Sequence, residues 1–178
     1  MRKRSPPHTQ WLVRVPETPL GAINLFFTIR GLAALYFIGE TPDLILAENP
    51  PPASLTPVIT ATQKELAHYF SGTRTDFSSL ILNLEHATPF RLRVWQELRK
   101  ITWGTTISYK ELASRVGKPK GFRAVGQANG ANPIPIIIPC HRVIAADGSL
   151  GGYSSGLDRK RWLLEHEGAK YFEGRPGG

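Results

Sequence analysis

The chain has 178 residues, 41% of them hydrophobic, which suits one ordinary domain or two small ones with enough apolar side chain to bury a core. It holds one cysteine, which excludes an internal disulfide and any zinc site built on several cysteines, and no apolar run reaches the roughly 18 residues of a membrane span, so a reducing, intracellular setting is expected. The net charge is +8, and it is uneven: residues 1 to 85 carry seven Lys or Arg against seven Asp or Glu, whereas 86 to 178 carry fifteen against seven, which suits a polyanionic partner or a solvated basic surface.

Residues 1–9 open with Met1-Arg2-Lys3-Arg4-Ser5-Pro6-Pro7, basic and without the apolar run of a signal peptide, and are expected to form a disordered tail. Short apolar runs from Gln10 to Val15, Ile23 to Ile29 and Leu32 to Ile38, broken by Gly31, predict an antiparallel hairpin or meander. Residues 41–57, with Pro50-Pro51-Pro52 at the centre, suit an irregular connection. Thr56 as N-cap and Pro57 at the first helical position predict a helix to about Ser71, stopped by Gly72, with Ile59, Leu66 and Phe70 on one side. These elements make an α/β domain over 10–85.

A second set of helices starts near residue 88, which puts the boundary between Leu84 and Thr88, a second domain over 86–170 and a flexible tail over 171–178. Thr88 can cap and Pro89 can open a helix with an apolar stripe of Phe90, Val94, Leu98 and Ile101. Ser108 and Glu111 have capping-box spacing, and Leu112 and Val116 precede a stop at Gly117. After the turn Lys118-Pro119-Lys120-Gly121, a short helix from Phe122 to about Gly130 carries Arg123 and the small residues Ala124, Gly126, Ala128 and Gly130. Two helices around a short turn have the outline of a helix-turn-helix, although any packed helix pair gives the same pattern. Interior glycines cost roughly 1 kcal/mol each relative to Ala. Close approach to a flat surface such as DNA would compensate, with Arg123 as the one long probe.

The lone cysteine lies in Pro139-Cys140-His141-Arg142-Val143-Ile144. An imidazole beside a thiol can convert it to the reactive thiolate, directly or through one water. A solitary cysteine can equally be a small buried hydrophobe.

The runs Arg123-Ala124-Val125-Gly126, Asn132-Pro133, Ile138-Pro139-Cys140-His141-Arg142-Val143-Ile144, Gly152-Tyr153-Ser154 and Leu163-Leu164-Glu165-His166-Glu167-Gly168 closely resemble the O6-alkylguanine-DNA alkyltransferase family. The resemblance covers about residues 88–168, whereas the first 85 match only in general layout. It implies an N-terminal α/β domain with a ribonuclease-H-like sheet and a C-terminal winged-helix-like (helix-turn-helix) domain that binds DNA. It implies that Cys140 takes an alkyl group from O6-alkylguanine in duplex DNA after base flipping, and leaves open whether O4-alkylthymine is a further substrate. His141 would deprotonate Cys140 through a water, Glu167 would hold the His141 tautomer, and Tyr109 would give a proton to the departing base. Asn132 would bridge the recognition helix and the cysteine segment, while Val143, Tyr153 and Ser154 would hold the guanine. Arg123 would intercalate, and Tyr109, Lys110, Lys118, Lys120, Ala124 and Ala128 would meet DNA. With one thiol and no second nucleophile, one turnover per molecule is expected, with no cofactor, no metal and no membrane. A monomer able to cluster on DNA is expected, cytoplasmic in a prokaryote or nuclear in a eukaryote. The competing readings are a non-catalytic lesion-binding relative, a class that replaces the cysteine this chain keeps, and a thiol hydrolase, whose local signatures are missing.

Overall fold

A computed structural model of the chain describes residues 10–40 and 46–172. The expected tail at 1–9 lies outside these residues. Of the tail expected from residue 171, only 173–178 lies outside: Tyr171 and Phe172 are described, and the Phe172 N–H donates to the Gly148 carbonyl at 2.7 Å. The chain divides into two compact units, Met1–His86 and Ala87–Gly178, and its content is mixed α and β.

In the first unit, β1 (Trp11–Val15), β2 (Ile23–Thr28) and β3 (Gly31–Phe37) form an antiparallel sheet in chain order. β1 alternates in burial, as a strand with one covered face does, but β2 and β3 are buried at every position, so both faces of that pair are covered. Gly31 is more than the strand break read from sequence. The Leu32 N–H donates to the Ile81 carbonyl at 3.0 Å and Asn83 N–H to the Leu32 carbonyl at 2.7 Å, so the 81–83 segment docks on β3. A Cβ on Gly31, whose φ is +129°, would run into the Ile81 carbonyl oxygen.

Helix α1 (Thr56–Phe70) differs from expectation at its start, while Ser71 as C-cap and Gly72 beyond it end the helix where the sequence placed the stop. A 3-10 turn, Ala53–Leu55, runs straight into it, so Leu55 is the N-cap and Thr56 is already helical and caps nothing. Its inward face is Ile59, Thr62, Leu66 and Tyr69, the last fully buried against Phe77 with ring centroids 5.6 Å apart. Phe70, assigned to that face by its apolarity, is only half-buried, because the three-residue step from Leu66 favours Tyr69.

In the second unit, Thr88 caps α2 (Pro89–Arg99) by accepting from the Arg91 N–H at 3.3 Å. Ile107–Ser108 forms β4, and Ser108 caps α3 (Tyr109–Arg115) by accepting from Glu111 N–H at 3.1 Å. The Glu111 carboxylate instead binds Arg115 at 2.7 Å, so it is engaged away from the cap. Helix α4 spans Phe122–Gly130, a 3-10 turn spans Cys140–Arg142, β5 is Val143–Ile144 and α5 is Leu157–His166. β4 and β5 pair in parallel, Ile107 with Val143 and Ser108 with Ile144, which sets the start of α3 beside the cysteine segment. Trp95 Nε1 donates to the Ala128 carbonyl at 2.9 Å and pins α2 to α4. Ala128 is therefore turned inward, 3% exposed, and does not present its side chain to DNA as the small-residue pattern suggested. No helix among the described residues is long and apolar enough to cross a membrane.

Candidate active site

Cys140 opens the 3-10 turn with 3% of its surface exposed. It is preceded by a buried run, Ile134 and Ile136 to Ile138, in which Ile136 holds φ of +73°. A β-branched residue in that region is strained by about 1–3 kcal/mol and needs surroundings that over-determine it. Asn132 supplies part of that constraint. Its Nδ2 donates to the Ile138 carbonyl at 2.7 Å and to Cys140 Sγ at 3.0 Å, while its Oδ1 accepts from Ile134 N–H at 3.0 Å. Asn129, from α4, donates to the Cys140 carbonyl at 3.3 Å.

Behind the thiol lies a buried charge cluster. His141 Nε2 and Glu167 Oε1 are 2.7 Å apart, and neither side chain is exposed. A carboxylate oxygen can only accept here, so the neutral imidazole carries its proton on Nε2 and its lone pair on Nδ1, which is buried with no hydrogen-bond partner among the described residues. Arg142 completes the cluster, giving Glu167 a bond from Nε at 2.7 Å and one from Nη2 at 3.0 Å, with Nη1 on the Ile101 carbonyl. Hydrogen bonds and charge from His141 and Arg142 overcome burial and hold the Glu167 carboxyl far below the usual carboxylate range. Burial outweighs Glu167 at His141 and lowers its pKa, so the ring rests neutral at physiological pH. Sequence reasoning assigned no role to Arg142, although it lies inside the quoted cysteine motif.

Tyr109, Gly126, Asn129, Gly130, Cys140, Gly152, Tyr153 and Ser154 line a pocket of about 260 Å³. Gly126 and Gly130 are therefore accounted for by the wall they leave open. The Tyr109 hydroxyl donates to the Gly152 carbonyl at 3.4 Å; burial, then the charge on Cys140, raise its pKa, and Asn129 works against both. The proton thus stays on Tyr109.

Val143 is fully buried and does not line the pocket; its carbonyl accepts from Lys160 Nζ at 2.6 Å. Lys160, also fully buried, donates to the Leu150 and Gly152 carbonyls as well, and burial pushes its pKa down to about 8. It ties the strand after the cysteine to the loop that closes the pocket. Its sequence signal was a lysine on the inward stripe of α5, three and four residues before Leu163 and Leu164. Lys110, Lys118, Lys120, Arg123 and Ala124 are exposed. His166 stacks on Trp162 with centroids 4.6 Å apart and has no place in the pocket.

The family model described as 6-O-methylguanine DNA methyltransferase, DNA binding domain, matches residues 89–169. A methylated-DNA–protein-cysteine methyltransferase of Methanosarcina barkeri is 43% identical over 155 residues, 85% of this chain and 93% of that protein. One of Salmonella typhimurium is 51% identical over 107 residues, but the match spans only 60% of that protein and 58% of this chain. Among solved structures, Mycobacterium tuberculosis OGT in complex with DNA is similar with a TM-score of 0.76 at 38% identity, over 90% of this chain and 92% of that one.

Proposed function

Because the chain belongs to the methylated-DNA–protein-cysteine methyltransferase family, we propose that it repairs DNA by moving an alkyl group from the O6 of guanine onto Cys140. The observation that carries this is a buried thiol at a pocket wall, held by Asn132 and followed directly by an imidazole whose lone pair meets no donor among the described residues. A buried ring nitrogen of that kind is satisfied by a water, which would pass the Cys140 proton to His141. The sulfur then attacks the alkyl carbon, the carbon–O6 bond breaks with its electron pair left on the base, and Tyr109 protonates the departing guanine. Tyr109 regains its proton from solvent as the His141 imidazolium gives one up, so the proton that guanine gains balances the one that Cys140 loses. The thioether is stable, and the described residues offer no second thiol to remove it, so each molecule acts once.

The substrate is duplex DNA with the lesion turned out of the stack, at a cost of a few kcal/mol. Lys110, Lys118 and Lys120 meet phosphates, Tyr153 and Ser154 hold the base, and Arg123 takes the space it leaves. The meander with α1 supports a ribonuclease-H-like first domain, and α3 with α4 supports a helix-turn-helix of winged type in the second. The protein acts as a monomer wherever the DNA is held.

Incubation with a duplex bearing one O6-methylguanine tests the reading: intact mass rises by one methylene as a methyl group replaces the thiol proton, stops at one equivalent, and peptide mapping finds the methyl group on Cys140. Tight DNA binding without a mass gain would favour lesion sensing instead. Arg123→Ala is expected to slow transfer from duplex DNA by tenfold or more and from free O6-benzylguanine far less, in side-by-side rate measurements, since only the duplex substrate has a stack to hold open. Equal losses would take Arg123 out of flipping.

A further inference from the structure

We propose that Phe122 is a second base-contacting residue, an aromatic face that stacks on the DNA at the mouth of the pocket beside Arg123; this rests on the reading of the chain as a DNA alkyltransferase. Three residues of α4 line the pocket, Gly126, Asn129 and Gly130. Phe122 precedes them by four, seven and eight positions, so it lies on the same helix stripe, one turn nearer the N-terminus and about 6 Å from Gly126 along the axis. The residue is 51% exposed, and its ring makes no aromatic or cation–π contact among the described residues.

A lone exposed apolar residue is ordinary, but the surroundings of this one select a partner. Lys118, Lys120 and Arg123 are exposed around it, and from Leu112 to Ala146 the sequence has no carboxylate at all. A surface of one sign suits a polyanion, and an aromatic side chain set among cations is the arrangement with which proteins hold unstacked bases. Apolar wedges entering the minor groove act in the same way, opening a base step for the protein to occupy. Successive residues of a helix diverge by about 100°, so Phe122 and Arg123 reach different parts of the same distorted site.

The test compares wild type with Phe122→Ala, Phe122→Leu and Phe122→Tyr, measuring the Kd for a duplex with one O6-methylguanine over a range of salt concentrations. Phe122→Ala weakens binding about tenfold, as expected for the loss of one stacked base. The slope of log Kd against log salt stays as in wild type, because no phosphate contact is lost. Tyrosine restores binding and leucine does not, and equal melting temperatures show that the variants are folded. Wild-type affinity in Phe122→Ala, full rescue by leucine, or a reduced salt slope would overturn the proposal. Intact mass on the same wild-type samples reads the parent function separately. A wild type that gains no methyl group while Phe122→Ala loses affinity sinks the alkyltransferase and keeps the stacking contact; the reverse pattern sinks only the contact.

Discussion

Glu167→Gln lowers the rate of alkyl transfer to Cys140 by about a hundredfold and lowers the melting temperature as well. The carboxylate is the acceptor that keeps the His141 proton on Nε2 and the lone pair on Nδ1. A glutamine can turn its amide N–H toward the ring, which moves the imidazole proton to Nδ1 and removes the base; general-base contributions of this kind are typically 10²–10⁴-fold. The stability effect comes from Arg142, whose buried guanidinium loses its anion. Removing one member of a buried pair costs about 3–5 kcal/mol, a figure to expect for Glu167→Ala, with less for the isosteric glutamine. Acid has a related effect. Both Glu167 and His141 have folded pKa values below their unfolded ones, so the unfolded chain binds more protons between the two. Their contribution is complete above about pH 6.5 for His141 and about pH 4.3 for Glu167, and is lost as pH falls below those values. Single-turnover rates and thermal melts from pH 8 down to 4 check this. A Glu167→Gln protein that transfers at the wild-type rate would rule out the tautomer argument, and a melting temperature flat with pH would rule out the linkage.

Alkylation of Cys140 is expected to lower the melting temperature of the protein by about 5 °C or more. The sulfur is 3% exposed and receives a hydrogen bond from Asn132 at 3.0 Å, while the Cys140 carbonyl receives one from Asn129. Adding carbon to a packed site costs typically 1–3 kcal/mol, and in a unit of about this size 1 kcal/mol corresponds to roughly 4–8 °C. Asn132 also fixes the Ile134 N–H and the Ile138 carbonyl, so pressure on the sulfur reaches both sides of the strained Ile136. Asn132 directly follows the α4 helix and its C-cap, so the same displacement disturbs α4 and is expected to weaken duplex affinity. Melts and duplex Kd values of the free and methylated forms decide it. An unchanged or higher midpoint after methylation would end the idea.

Strands β1 to β3 and helices α1 to α4 lie within a residue or two of where periodicity and punctuation put them, because period-two runs, Thr88-Pro89 and Ser108 with Glu111 are local signals that local hydrogen bonds answer, whereas β4, β5 and α5 were not read from the sequence. Cys140, His141, Asn132 and Glu167 stood out by motif, and the fold gathers them by hydrogen bonds that cross as many as 26 residues. What sequence alone left open was the direction in which each side chain turns and which charges are buried. Ala128 and Gly126 look alike in a small-residue helix, yet one is packed under the Trp95 bond and the other opens the pocket, a difference set by the neighbouring helix. Arg142 and Lys160 look like surface charges on a basic chain. Burial makes Arg142 find partners 25 to 41 residues away and Lys160 partners 8 to 17 residues away, among carbonyls and a carboxylate that no local pattern announces. The elements and the nucleophile were thus determined by the sequence itself, through short-range geometry and chemistry. The tautomer of His141, the restraint on Val143 and the exposure of Phe122 were decided only by tertiary packing, because desolvation and long-range charge pairing exist only once the chain has closed on itself.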